Sequence, residues 1–207
     1  MPYLAFASNF TWVMVMGLLG PSLPVMIDDL GLGYAEAGRL FTVLALGSLF
    51  GTLLSGAASD RVGRRGLFAA VAGCLALGLF SLALASNYTR VLLAVLFFSL
   101  TGSPAGTVGQ GIMLEMFPER RERYLALLTT FAAVGSLVAP LLVALNEGAT
   151  MGSSLGSSLG WRWPFVQAGV VALLLCAAIL AVPLPRPRAG PAAGLPARRP
   201  LRALGRL

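Results

Sequence analysis

The chain reads as an all-α membrane protein of six transmembrane helices, and three features of its 207 residues carry that reading. Apolar residues make up 57% and charged residues 11%, against roughly 45–50% and about 25% in soluble globular domains. The charges are gathered between uncharged runs of about twenty residues, the length that ~30 Å of hydrocarbon requires of a helix rising ~1.5 Å per residue. All 15 basic residues are arginine, and 12 of them fall on one side if the spans alternate, which is the bias of cytoplasmic loops.

The first span covers Leu4–Ile27, with a polar cluster of Ser8, Asn9, Thr11 and Trp12 near its start. Asp28 and Asp29 mark its return to water. No basic residue precedes it, and Pro21 and Pro24 stand where a small-residue cleavage site would be needed, so it is read as a span and not as a cleaved signal peptide. The second span, Ala37–Ser59, carries Gly47, Gly51 and Gly56 at spacings of four and five. Small residues so placed let helices approach closely, which in lipid replaces the missing hydrophobic drive for packing. The third, Gly66–Ser86, repeats the device with Gly73 and Gly78.

The fourth span runs from Val91 to Leu114 and has the most polar interior of the six. Ser99, Ser103, Thr107 and Gln110 fall close to one helical face by the 3.6-residue period, and that face is expected to avoid lipid. Arg90, just ahead of it, is placed at the membrane interface. The fifth span is Tyr124–Leu145, with Gly135 and Pro140 inside it. A loop follows in which G-S-S-L occurs twice between Gly152 and Leu159, a flexible and exposed composition. The sixth opens at Trp161-Arg162-Trp163, an interfacial aromatic anchor, with Pro164 suited to a first helical turn; it ends at Pro183. Residues 1–184 thus form one bundle. Residues 185–207 are mostly Pro, Arg, Ala and Gly, cannot build a core, and are expected to be a disordered tail.

A net charge of +7 could indicate nucleic acid, but the charges follow the spans and not a patch, so no nucleic-acid partner is expected. Cys74 and Cys176 lie in separate apolar runs and read as inert cysteines. The sequence has no histidine, which removes the commonest metal ligand and general base; no metal, cofactor or catalytic group is expected. No ionisable residue stands at the middle of any span, so the usual mark of proton coupling is missing from this region.

The arginine bias places both termini in the cytoplasm, with only Arg39, Arg90 and Arg162 on the other side. A faint repeat accompanies it. G-S-L-F-G at 47–51 returns as G-S-L-V-A at 135–139, an offset of 88, as expected of paired three-helix units.

The eleven residues Gly56–Gly66, G-A-A-S-D-R-V-G-R-R-G, interrupt two uncharged runs. They resemble the signature loop between the second and third helices of the major facilitator superfamily at Gly56, Asp60, Arg61, Gly63, Arg64 and Arg65. Glu115, followed by Phe117-Pro118-Glu119-Arg120-Arg121, resembles the cytoplasmic end of that family's fourth helix. The resemblance implies a bundle of two inverted three-helix repeats matching the amino-terminal half of a twelve-helix transporter. It also implies an ion-pair network in which Asp60 and Glu115 pair with arginines of the 61–65 and 120–123 clusters, Arg121 included. Helix five keeps Gly135 and Pro140 of the family's antiporter motif but has Ala139, Val143 and Ala144 at its other glycine positions, and Phe98 stands where drug antiporters carry an embedded arginine. Proton-driven drug export is therefore not indicated.

The resemblance implies transport of a small organic solute by alternating access in the cytoplasmic membrane of a bacterium. The partners would be the lipid bilayer, the solute, and a second six-helix half supplied by a missing part of the chain or by another copy. Asn9, Trp12, Ser103, Thr107 and Gln110 are the candidate solute contacts, because helices one and four line the path in the family. Uncharged hydroxyls and amides with a tryptophan suit a neutral polar solute such as a sugar. Bonding between helices is an equally available role for them. The alternative reading is a truncated or non-transporting six-helix scaffold. A membrane enzyme would need convergent catalytic groups, and the sequence displays none.

Overall fold

The computed structural model describes residues 2–62, 64–150 and 160–182. All six expected spans are helices: α1 (Pro2–Leu30), α2 (Tyr34–Val62), α3 (Arg64–Ala83), α4 (Tyr88–Met116), α5 (Arg121–Thr150) and α6 (Arg162–Ala181). Among the described residues there is no strand. Each is long and apolar enough to cross a membrane.

Several helices outrun their apolar stretches. α2 continues past Ser59 to Val62, and α3 resumes at Arg64, so the expected polar loop is mostly helix. Hydrocarbon thickness limits the apolar run, whereas the helix may continue wherever water can satisfy its end groups. Gly63, the repeated G-S-S-L segment and the 185–207 tail lie outside the described residues.

Local chemistry sets the turns. α1 closes at Gly31, whose φ of 62° needs no Cβ, and Leu32 N–H donates to Ile27 C=O at 3.0 Å in a Schellman closure. Asn87 caps α4, its side-chain oxygen accepting from Arg90 N–H at 3.0 Å. Pro118 forces Phe117 out of the helical region and ends α4; a 3-10 turn, Pro118–Arg120, leads into α5.

The helices pack in two layers. One layer runs α2, α4, α1, α5 in that order; the other is the pair α3 and α6, with α3 against α4 and α6 against α1. Between them Leu18, Leu79, Phe98 and Phe165 are fully enclosed. In the four-helix layer the flanking spans of α2 and α5 are only 22% buried, against 39% for α1 and 56% for α4, so α1 and α4 are its middle.

Exchanging helices one to three with four to six turns the α2–α4 contact into α5–α1, so the packing repeats as the chain does. The two copies of the glycine motif sit in these equivalent contacts. Gly47 and Gly51 of α2 leave no room for a Cβ against Ser99 and the Leu96 and Leu100 carbonyls of α4. Gly135 of α5 lies against α1, where a Cβ would come within 2.7 Å of the Phe10 carbonyl.

Candidate functional site

The polar residues of the spans converge on the four-helix layer, and most are engaged with one another. Ser103 of α4 and Thr52 of α2 share a hydrogen bond of 2.6 Å. Thr52 already donates to Ser48 C=O at 2.9 Å, so Ser103 supplies the proton between them. Gln110 Nε2 of α4 donates to Asn9 Oδ1 of α1 at 3.3 Å, and Asn9 Nδ2 donates to Leu128 C=O of α5 at 2.9 Å. Three hydrogen bonds thus join α2 to α4, α4 to α1 and α1 to α5 in sequence. Ser8 adds a fourth, donating to Ala105 C=O at 2.7 Å. In lipid each of these groups would otherwise lack a partner.

Trp12 occupies a slot on α4 made by the absence of side chains. A Cβ on Gly102 would collide with its ring, and one on Gly106 would lie 3.2 Å from it. Thr107 stands between Ser103 and Gln110 in the sequence of α4 and is exposed; its hydroxyl donates back to Pro104 C=O at 3.3 Å. Asn9 and Ser103 are buried, at 5% and 8% exposure, while Trp12 and Gln110 are half-buried. Of the five residues read from the sequence as solute contacts, Asn9, Trp12 and Gln110 therefore meet at the α1–α4 junction. Ser103 turns toward α2, and Thr107 is the open hydroxyl. The junction is uncharged, since α1 from Leu4 to Ile27 and α4 from Val91 to Leu114 carry no ionisable acid or base.

The signature residues stand at the end of the bundle nearer this junction, since Gln110 precedes Glu115 by five residues in α4. Gly56, Asp60 and Arg61 are in the last turns of α2, Arg64 and Arg65 open α3, and Glu115 is in the last turn of α4. The side chains of Asp60, Arg61, Arg64, Arg65 and Glu115, on which the expected ion pairs rest, lie outside the described residues. Arg121 begins α5 and is exposed. In α5, Gly135 meets α1 as described, and Pro140 is exposed one residue beyond the buried Ala139. Phe98, at the position of the absent arginine, is fully buried, with its backbone and Cβ 2.6–3.1 Å from where a Cβ on Gly78 would be.

Two clusters have no counterpart in the sequence reading. At the end holding the α1–α2 turn, Arg162 pairs with Asp29 at 2.8 Å and donates to Ala85 C=O at 3.2 Å. Trp161 Nε1 donates to the same Asp29 oxygen at 3.0 Å, and the guanidinium lies 4.5 Å from the Trp161 ring centre. Trp161 is only 2% exposed, so with Arg162 it forms a clasp joining α1, the α3–α4 turn and the start of α6, and the exposed aromatic at that border is Trp163. The second cluster is Asn146 of α5 with Gln167 of α6, whose amides exchange hydrogen bonds of 3.2 and 3.3 Å. An amide just past the expected end of the fifth span and one inside the sixth were the available sign of it. Cys176 Sγ contacts Ala69 C=O at 3.3 Å across α6 and α3, a packing role. Among the described residues no group of His, Cys, Asp or Glu could hold a metal ion.

Comparison with known proteins places this bundle. The family model of the Major Facilitator Superfamily matches residues 5–207. A Bacillus subtilis strain 168 protein named for metabolite transport, YncC, is 29% identical over 166 residues, covering 79% of this chain and 35% of that protein. The 4-hydroxybenzoate transporter PcaK of Pseudomonas putida is 29% identical over 166 residues, 80% of this chain and 34% of the transporter. The PcaK of Pseudomonas aeruginosa is 29% identical over 172 residues with similar coverage. The chain spans about a third of the length of these curated relatives.

Proposed function

The chain belongs to the Major Facilitator Superfamily, and from that premise we propose that it supplies one six-helix half for transport of a small organic solute by alternating access. The observation that carries this reading is the uncharged polar junction of Asn9, Trp12 and Gln110, beside the exposed Thr107, on the two central helices. Secondary transporters bind their solutes between two such bundles near the bilayer midplane. A ring, two amides and a hydroxyl suit a hydroxylated solute that is neutral where it meets this half. A solute such as the 4-hydroxybenzoate named for two of the relatives would present its ring and hydroxyl here and need a cation from the other half. Asp60 and Glu115, with the arginines at 61–65 and Arg121, would set the balance between inward-open and outward-open forms.

Both termini would be cytoplasmic, in a bacterial inner membrane. With Cys74 and Cys176 replaced by serine, a cysteine at Arg39 should label from outside and one at Glu122 from the cytoplasm; the opposite pattern would reverse the topology, and labelling of both from one side would overturn the six alternating spans. Transport itself is tested in vesicles. The chain alone should move no solute, and a cysteine at Thr107 should crosslink to a second bundle. Saturable 4-hydroxybenzoate uptake by the chain alone as a monomer would overturn the half-transporter reading.

A further inference from the structure

A cleft of about 440 Å³ opens between α3 and α4 at the end opposite the signature residues, lined by Ser81, Leu84, Ala85, Leu93, Ala94 and Phe97. Arg90 lines it as well. We propose that this cleft binds an anionic glycerophospholipid of the adjoining leaflet, with the phosphodiester on the Arg90 guanidinium and one acyl chain along Leu93 and Phe97.

The argument begins with the arginine. Arg90 is exposed, and its guanidinium bonds only the Ser86 hydroxyl, at 2.9 Å, with no carboxylate partner among the described residues. Arg162, on the same end, is by contrast neutralised by Asp29. A guanidinium presents five donors in a fork that fits phosphate, so most of the donors of Arg90 are open. Asn87 already occupies the Arg90 amide; the attraction for an anion therefore resides in the side chain and not in the helix end.

Depth supplies the second part. Arg90 is in the first turn of α4, and Phe97 is seven residues on, about 10 Å deeper at ~1.5 Å per residue. A charged head at the level of the lipid phosphates with an apolar channel below it is the shape of a phospholipid's upper half. Leu93 and Phe97 are 60% and 40% exposed on this flank, away from the Asn9–Gln110 junction.

Native mass spectrometry of the delipidated full chain, titrated with dioleoyl phosphatidylglycerol, tests the proposal. Arg90→Ala should weaken binding about tenfold, the scale of one charge-assisted contact, while Arg39→Ala, an exposed arginine at the same end, should leave it unchanged. Glycerol 3-phosphate should not compete. Equal affinity in Arg90→Ala and the parent, equal losses in both arginine variants, or competition by glycerol 3-phosphate would each overturn the site. If Arg90→Ala does not purify, Phe97→Ser carries the same test, with a loss of about threefold expected from the shortened chain contact.

Discussion

The α2–α4 and α5–α1 contacts are equivalent in the packing of the bundle, yet they divide their small residues differently. In the first, Gly51 of α2 faces the Leu100 carbonyl, which Pro104, four residues on, leaves without its helical partner. In the second, the residue at the corresponding place on α5 is Ala139, and the glycine has moved across the interface to Gly17 of α1. Gly17 lies near the Ser136 carbonyl, which Pro140 frees in the same way. Each contact therefore sets a glycine against a carbonyl released by a proline. The glycine is on the flanking helix in one and on the central helix in the other. Close approach in lipid depends on the sum of side-chain volumes at a crossing, so either helix may carry the gap.

The largest effect should come where the blocking atoms are backbone. Gly51→Val should destabilise the folded bundle by about 3 kcal/mol, the upper part of the overpacking range, read as a fall in thermal or denaturant midpoint in detergent. A variant as stable as the parent would end the comparison, since α2 would then not be held by that approach.

Next is Gly17→Ala, whose new Cβ would sit 2.9 Å from the Ala139 Cβ. A loss of about 1–2 kcal/mol is expected, and Ala139→Gly in the same chain should recover most of it. That recovery is a coupling between touching residues, which a double-mutant cycle isolates. No side-chain change at Leu100 should rescue Gly51→Ala. Rescue there would show that the two contacts are built alike after all.

Smaller still should be the loss from Asn9→Leu, which removes the bridge between Gln110 and the Leu128 carbonyl and should cost about 1 kcal/mol for two intramembrane hydrogen bonds. Ser103→Ala should cost about 0.6 kcal/mol. Thr52→Ala should add little to it, because the pair shares one bond across the α2–α4 contact. Additive losses from Ser103→Ala and Thr52→Ala would show that their bond is not what joins those helices.

The six spans, their order and the repeat were legible in the chain because hydropathy and glycine spacing are local properties that a bilayer reads directly. The motif at 47–51 and 135–139 even anticipated which contacts would be equivalent. Span ends were legible to within a few residues, and α2 overran its expected end because a helix does not stop where hydrocarbon stops. Trp161 was misread as an interfacial anchor, since an aromatic beside an arginine at a span border looks alike whether it faces headgroups or a buried Asp29.

Class, span number and the uncharged interiors of α1 and α4 were determined by the sequence alone, because each follows from composition within about twenty residues. The tertiary structure decided which polar groups meet. Asn9 finds Gln110 and Leu128 across 101 and 119 residues, and Asp29 finds Arg162 across 133. It also decided that Ser103 serves α2 while Thr107 stays open. Those pairings depend on the rotation of each helix about its own axis, a quantity set by the packing of all its neighbours and carried by no single stretch of chain.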